Sequence, residues 1–254
     1  MEITFTTFLI VCPLVFLAGF IDSIAGGGGL ISLPAYLLAG IPIHNAIATN
    51  KLSSCLGTAI STIRYCKNKY ADLVSAIPSV LCALIGSAIG AKLSLSVSER
   101  ILEYLLLFIL PVTAYFVLKK KDHSKAPQKK LRRSLVILLC CVISFVIGMY
   151  DGFYGPGTGT FLILLYTGLC RMDIKTASGN TKLVNLSSNL AALVTFLVNG
   201  QVLFLLGIVA ALFSIAGNYA GSGLVLKKGA AIIKPVIIVV LGILFLKILS
   251  GLFI

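Results

Sequence analysis

The chain is a succession of apolar segments separated by short polar or glycine-rich stretches. Segments of about twenty apolar residues have the length of a membrane-spanning helix, and the alternating pattern of a β-barrel is absent. The first half contains five predicted segments, at residues 3–21, 30–39, 45–64, 73–93 and 99–118. The second half contains five more, at residues 135–150, 160–169, 174–198, 202–226 and 232–252. The pattern therefore predicts an all-α integral membrane protein with roughly 8–10 hydrophobic helical segments.

Glycine-rich stretches follow the first segment of each half, at Gly26–Gly29 and Gly155–Gly159. Glycines in a row cannot continue a stable helix, because each costs about 1 kcal/mol relative to alanine. The segments behind them are about 15 Å long, too short for a hydrocarbon core of about 30 Å, and whether they are re-entrant or spanning stays open. Backbone groups freed at membrane depth must be buried in protein or meet a water-filled cavity. Two such breaks at matching places predict a binding site near the membrane midplane.

The second half repeats the first. Four residues of the first half recur 129 positions later: Gly19 matches Gly148, Asp22 matches Asp151, Gly26 matches Gly155 and Gly28 matches Gly157. At an offset of 131, Lys51, Asn68, Gly86 and Gly90 match Lys182, Asn199, Gly217 and Gly221. We therefore divide the chain into repeat 1 (residues 1–118), a basic linker (residues 119–133) and repeat 2 (residues 134–254).

Composition and charge support the membrane interpretation. The chain is 58% hydrophobic and only 11% charged, with a mean hydropathy of +1.05, whereas about 25% of a soluble domain is charged. The net charge of +13 does not indicate nucleic-acid binding, because eight of the 21 basic residues lie in the linker. Such a basic loop is expected in the cytoplasm. In repeat 1 the basic loop is Arg64–Lys69, between the third and fourth segments. In repeat 2 it is Lys227–Lys234, between the fourth and fifth segments. This exchange predicts inverted repeats with both termini outside.

Several motifs resemble those of the TauE/SafE family of sulfite exporters, also called the 4-toluene sulfonate uptake permease family. They are Gly19–Pro34 (GFIDSIAGGGGLISLP), Ala48–Leu52 (ATNKL), Gly155–Gly159 (GPGTG) and Ser178–Leu183 (SGNTKL). The resemblance covers nearly the whole chain. It implies a multi-pass transporter in the inner membrane of a bacterium or archaeon, which moves small sulfur-containing anions such as sulfite, thiosulfate or organosulfonates. We expect a secondary transporter, working as an exporter by alternating access around a midplane site.

The candidate binding residues surround the two breaks and the matching lysine motifs. Glycine-rich turns that lead into helices offer N–H groups and the positive end of a helix dipole, which suit a small oxoanion. A lysine at membrane depth can compensate the charge of an anion, although it can also extend to the interface or neutralise an aspartate. The substrate-binding candidates are Gly26, Gly27, Gly28, Gly29, Asn50, Lys51, Tyr154, Gly155, Pro156, Gly157, Thr158, Gly159, Asn180, Thr181 and Lys182, with Asn185 as a further pore-lining candidate.

The equivalent acids Asp22 and Asp151 have two possible roles. Each is either a carboxylate that couples transport to protons or a structural partner for a lysine or for free backbone N–H groups. The sequence alone does not decide between them.

Other functions fit the sequence less well. An anion channel and a non-transporting membrane subunit of a sulfur-metabolism complex stay as alternatives. We expect no enzyme, because the chain lacks a catalytic constellation, a nucleotide-binding fingerprint and a metal-ligand cluster. The seven cysteines form no C-x-x-C pair and are interpreted as packing residues. We therefore expect no cofactor and no nucleic acid; the partners are the lipid bilayer and a small anion, and the chain is a monomer or homodimer.

Overall fold

The computed structural model of the protein describes residues 3–102, 131–229 and 232. Eight α-helices lie wholly within these residues, and none of the described residues is in a strand. Their bounds are α1 (Phe5–Ala25), α2 (Gly29–Leu38), α3 (Ile43–Lys67), α4 (Leu73–Ser96), α5 (Arg133–Phe153), α6 (Thr158–Gly168), α7 (Ile174–Val198) and α8 (Phe204–Lys228). Each coincides with a predicted segment to within a few residues, which confirms the all-helical prediction. The predicted segments 99–118 and 232–252 and the linker 119–133 lie largely outside the described residues.

The first helix of each half runs further than the apolar pattern predicted. Helix α1 continues to Ala25, where Gly26 adopts a left-handed backbone with φ of 76° and donates its N–H to the Asp22 carbonyl over 2.8 Å. Helix α5 likewise continues to Phe153. Because glycine carries no Cβ, it takes this conformation at little steric cost and ends the helix. As a result both aspartates lie within the last turn of a helix rather than in a loop.

The outer surface of the helices is apolar, while small and polar residues face inward. On α4 six exposed apolar side chains recur at every fourth position, namely Leu73, Ile77, Leu81, Ile85, Ile89 and Leu93. The buried polar positions of the same helix are Ser75, Ser79, Ser87 and Ser94. This is the reverse of a soluble helix and is the pattern expected of a surface that faces lipid. In the part of the chain that is described, five helices are long and apolar enough to cross a membrane, namely α1, α4, α5, α7 and α8.

The two halves are interlocked through equivalent helix pairs. Helix α1 of the first half packs along α8 of the second, and α5 of the second packs along α4 of the first. Glycines permit both contacts, since a Cβ at Gly86 or Gly90 would meet α5 backbone and a Cβ at Gly217 or Gly221 would meet α1 backbone. Helices α3 and α7 lie between these pairs and contact each other. The inverted orientation of the two repeats stays a prediction.

Candidate functional site

The two glycine-rich breaks meet at the centre of the molecule. An added Cβ at Gly26 would lie 2.5 Å from the Cα of Gly159, and a Cβ at Gly159 would lie 2.5 Å from the Cα of Gly26. Thr160 joins the two halves, because its N–H donates to the Gly26 carbonyl over 3.1 Å and its Oγ1 donates to the Ala25 carbonyl over 2.9 Å. The end of α1 is thus held against the start of α6 by backbone contact that only glycine allows.

Two buried ion pairs cross between the halves. Lys51 Nζ lies 2.9 Å from Asp151 Oδ2, and Lys182 Nζ lies 2.8 Å from Asp22 Oδ2. The exposed fractions are 3% for both side chains of the first pair, 1% for Lys182 and 13% for Asp22. A buried lysine and a buried aspartate avoid most of their desolvation cost when they are paired in this way. The four charges sum to zero, so neither lysine is a free cation in this arrangement.

Asp151 is the centre of a closed hydrogen-bond network. Besides Lys51, its carboxylate accepts from Ser188 Oγ over 2.7 Å and from Thr158 Oγ1 over 2.7 Å. Lys51 also donates to Asn189 Oδ1 over 3.0 Å, and Asn189 Nδ2 donates to Asn185 Oδ1 over 3.2 Å. Oδ2 of Asp151 therefore has two strong donors, Lys51 and Ser188, as a buried charge requires. Oδ1 shares the single hydroxyl proton of Thr158 with the Gly155 carbonyl, which is also 2.7 Å away.

Asp22 is held more loosely. Lys182 donates both to the carboxylate and to the main-chain oxygen of this residue. The second contact of Asp22 Oδ2 is with Thr58 Oγ1 at 3.5 Å, the outer limit of a hydrogen bond. Within the described ranges, Oδ1 of Asp22 accepts no hydrogen bond.

A small polar cavity lies between the two breaks and helices α1, α3, α7 and α8. The space open to the centre of a water molecule is about 30 Å³, which is room for about two or three waters. The lining consists of charged side chains, amides, hydroxyls and glycine backbone, with two apolar residues. Its members are Val15, Ala18, Gly19, Asp22, Gly26, Gly28, Gly29, Ser32, Asn50, Lys51, Ser54, Thr58, Asp151, Gly155, Thr158, Gly159, Asn185, Asn189, Ser214 and Asn218.

Many of the residues predicted from the sequence line this cavity. Among them are both aspartates, Lys51, Asn50, Asn185 and Thr158, together with the glycines at positions 26, 28, 29, 155 and 159. Others lie outside the lining: Gly27, Tyr154, Pro156, Gly157, Asn180, Thr181 and Lys182. Lys182 contacts the cavity indirectly, through Asp22.

Asn180 makes a hydrogen-bonded contact between the two halves. Its Oδ1 accepts from the Asp72 N–H over 2.9 Å and its Nδ2 donates to Ser75 Oγ over 3.0 Å, at the start of α4. The equivalent residue Thr49 accepts from the Leu203 N–H over 3.1 Å, at the start of α8. Both residues therefore satisfy an N–H group at the first turn of a helix in the other half.

The remaining predicted residues outside the lining are buried in the protein. Tyr154 is almost fully buried, and among the described residues its hydroxyl has no hydrogen-bond partner. The Pro156 carbonyl accepts from Tyr150 over 2.6 Å, beside the contact of this turn with Gly29. Thr181 is buried one position before Lys182, and its hydroxyl is likewise unpartnered within the described ranges.

Sequence reasoning did not identify six polar lining residues, namely Ser32, Ser54, Thr58, Asn189, Ser214 and Asn218. Most of them are spaced at three, four or seven residues from another polar residue, which places both on one face of a helix. Ser54 and Thr58 follow Lys51 by three and seven residues, and Asn189 follows Lys182 by seven, so each shares a helix face with its lysine. Ser214 and Asn218 are four residues apart in an otherwise apolar helix, which indicates a polar stripe facing inward.

Comparison with known proteins places the chain in a family. The profile of the family described as Sulfite exporter TauE/SafE matches residues 11–248. The chain is 35% identical to the probable membrane transporter protein YfcA of Escherichia coli (strain K12), over 97% of this chain and 94% of the relative. It is 37% identical to the probable membrane transporter protein ORF9 of Sinorhizobium sp, over 92% of this chain and 89% of the relative. No solved structure matches the chain.

These similarities extend over nearly the whole chain and agree with the apolar outer surface of the helices. They indicate a multi-pass protein that lies in a lipid bilayer and acts as a membrane transporter. The chain belongs to the TauE/SafE sulfite exporter family.

Proposed function

We propose that this transporter exports small sulfur-containing anions, such as sulfite, thiosulfate or organosulfonates, by alternating access around the central cavity. The observation that carries the proposal is the position of the cavity, at the point where the glycine-rich breaks of both halves meet. Broken helices that face each other near the midplane are typical of substrate sites in secondary transporters. The family name, Sulfite exporter TauE/SafE, supports the substrate class and the direction.

The lining offers hydrogen-bond donors suited to an oxoanion. Asn50 accepts from Ser54 through its Oδ1 over 3.3 Å, and Asn185 accepts from Asn189 through its Oδ1 over 3.2 Å. In both residues the amide oxygen is therefore occupied, by Ser54 or by Asn189. The amide NH₂ groups of Asn50 and Asn185 donate to no other described residue. Each amide can therefore donate to a bound oxygen without breaking an existing hydrogen bond.

The size of the cavity favours a compact substrate. Room for about two or three waters suits an anion of a few heavy atoms that displaces them. A larger organosulfonate requires the two halves to separate further. We therefore place sulfite and thiosulfate ahead of bulky sulfonates as substrates in this state of the transporter.

The contacts between the halves suggest how the site opens. The ion pairs Lys51–Asp151 and Lys182–Asp22 and the Thr160–Gly26 hydrogen bond all cross between the halves and surround the cavity. A rocking motion that loosens contacts on one side of the cavity exposes it to that side only. This is the alternating access expected when a site lies between two repeats.

The test is efflux from proteoliposomes loaded with labelled sulfite, thiosulfate or sulfoacetate. We expect saturable efflux of at least one of these anions, without unitary currents in single-channel recordings. Asn50→Leu should lower the rate at least about tenfold, because a lost hydrogen bond to a charged group is worth about 1.5–3 kcal/mol. Asn68→Leu is the matched control, since Asn68 is exposed at the end of α3 and away from the cavity. Absence of efflux for all three anions contradicts the proposal.

A further inference from the structure

The two equivalent carboxylates of the site are held by different numbers of donors. Asp151 accepts from one lysine and two hydroxyls, all at 2.7–2.9 Å. Asp22 accepts from Lys182 at 2.8 Å and from Thr58 only at 3.5 Å. Asp22 is also the more exposed of the two, and its Oδ1 accepts no hydrogen bond within the described part of the chain.

Equivalent positions in the sequence explain this difference. The two hydroxyls that hold Asp151 belong to Thr158 and Ser188. At offsets of 129 and 131 residues their equivalents in the first half are Gly29 and Gly57, which have no side chain to donate. The inequality therefore comes from the sequence and not from the packing of one particular state.

The charge of the site is balanced before any anion arrives. The two lysines and two aspartates of the crossed pairs sum to zero. In the described ranges, the only Asp, Glu, Lys, Arg or His side chains that line the cavity are Asp22, Lys51 and Asp151. Tyr65 is a further ionisable group near Asp22, and its hydroxyl already donates to the Ser23 carbonyl over 2.8 Å. Helices α2, α6 and α8 present hydroxyls, amides and backbone to the cavity. An anion that enters such a site leaves an uncompensated negative charge in a region of low dielectric, which is unfavourable.

We propose that one proton binds together with the anion and that Asp22 is its acceptor. This inference rests on the proposed function and names its coupling ion. A proton from bulk water converts the Asp22 carboxylate to the neutral acid, with Oδ1 as the free oxygen that receives it. The ion pair with Lys182 is then released, and the Lys182 ammonium, still held by the Asp22 main-chain oxygen, compensates the anion. The charge of the site is zero before and after a monoanion binds, whereas a dianion such as thiosulfate leaves one negative charge instead of two.

Asp151 does not serve as the acceptor in this scheme. Protonation there would break contacts with Lys51 and Ser188 at 2.9 Å and 2.7 Å, which tie α5 to α3 and α7. Asp151 is thus the structural member of the pair, and Asp22 is the member that changes charge. Transport coupled in this way follows the sum of the anion and proton gradients, so export proceeds only while the outward anion gradient exceeds any inward proton gradient.

The test counts protons taken up when thiosulfate binds to the purified transporter. Thiosulfate keeps its charge over the whole working pH range, so any uptake belongs to the protein. Calorimetric titration in two buffers of different ionisation enthalpy gives the number of protons directly. We expect about one proton per bound anion, and an affinity that falls by about tenfold for each pH unit of increase while Asp22 is ionised.

Two matched variants assign the proton to a residue. Asp22→Asn mimics the protonated acid and should bind thiosulfate with no proton uptake and no dependence on pH. Asp151→Asn makes the same change at the equivalent position and should still take up one proton, whatever its affinity. Infrared difference spectra of the wild type provide a measurement that needs no variant, since a protonated carboxyl band should appear when thiosulfate is added.

The outcomes separate this inference from the proposed function. Binding by the wild type without proton uptake and without a carboxyl band overturns the coupling and leaves the transport function intact. Uptake that persists in Asp22→Asn overturns the assignment to Asp22. If sulfite, thiosulfate and sulfoacetate are neither bound nor transported, the proposed function fails and the coupling fails with it.

Discussion

The crossed ion pairs predict which double variants of the buried charges are stable. Lys51→Met removes the ammonium but keeps an apolar stem of similar length. It leaves Asp151 buried, with only the hydroxyls of Ser188 and Thr158 as donors. Breaking a buried pair in this way costs about 3–5 kcal/mol, because a charge stays buried without compensation. For a chain of this size each kcal/mol lowers the melting temperature by about 2–4 °C, so a fall of about 6–20 °C is expected.

The stability of a double variant depends on which aspartate is neutralised together with Lys51. Lys51→Met with Asp151→Asn removes both charges of one pair and should recover most of the loss, leaving about 1 kcal/mol for each hydrogen bond not replaced. Lys51→Met with Asp22→Asn combines residues of the same half and leaves both Asp151 and Lys182 unpaired. We expect this double variant to be less stable than either single variant.

Unfolding can be followed with a thiol-reactive fluorescent dye. Four of the cysteines are free and buried, namely Cys12, Cys55, Cys140 and Cys170, so they react only when the protein opens. The chain contains no tryptophan, which makes this probe preferable to intrinsic fluorescence. Equal destabilisation of the two double variants would refute the crossed pairing. So would a melting temperature of Lys51→Met that matches the wild type.

Three further predictions concern the architecture around the site. Gly26→Ala or Gly159→Ala should abolish the folded state, because the new Cβ meets the opposite backbone. In the control Gly40→Ala the new Cβ meets nothing within 4 Å, so only the left-handed backbone is strained, at a cost of about 1–2 kcal/mol. Melting temperatures of the three variants measure the difference. Asn180→Leu should lower the melting temperature by the equivalent of about 1–3 kcal/mol without changing thiosulfate affinity, because it leaves the Asp72 N–H unsatisfied. Reporter tags at both termini should be found outside and a tag within residues 119–133 inside, and opposite sides for the two termini would contradict inverted repeats.

The sequence was sufficient to predict the helices and the region of the site, because both depend on local patterns. Apolar length predicted every described helix, and consecutive glycines predicted both breaks. The extension of α1 to Ala25 was not predicted, because helix ends depend on how the freed N–H and C=O groups are satisfied. Here the Gly26 N–H returns to Asp22, which a hydropathy pattern does not contain.

The partners of the charged residues could not be predicted from the sequence. The repeat makes Lys51 equivalent to Lys182 and Asp22 equivalent to Asp151, so a pairing within each half and a crossed pairing are equally consistent with it. The choice depends on long-range packing, in which Lys182 on α7 reaches α1. Asn180 lies outside the cavity lining for a related reason. It precedes Lys182 by two positions on a helix and therefore faces a direction about 200° away from it.

The inequality of Asp22 and Asp151 and the polar stripe of α8 have one physical origin. At Gly57 an added Cβ would lie 2.7 Å from Asn218 Nδ2, so the absence of a side chain is what lets Ser214 and Asn218 approach the cavity. The equivalent position in the second half is Ser188, whose hydroxyl instead holds Asp151. The sequence equivalents of Ser214 and Asn218 on α4 are the smaller Ala83 and Ser87, and Ser87 donates to the Ser188 carbonyl. One side of the site thus has a side chain that holds its carboxylate, and the other has space and additional polar groups from α8. The two repeats therefore differ at the site, because Gly57 in the first half stands where the second half has Ser188. We therefore expect the proposed anion and proton to bind on the side of Asp22, where α8 contributes Ser214 and Asn218.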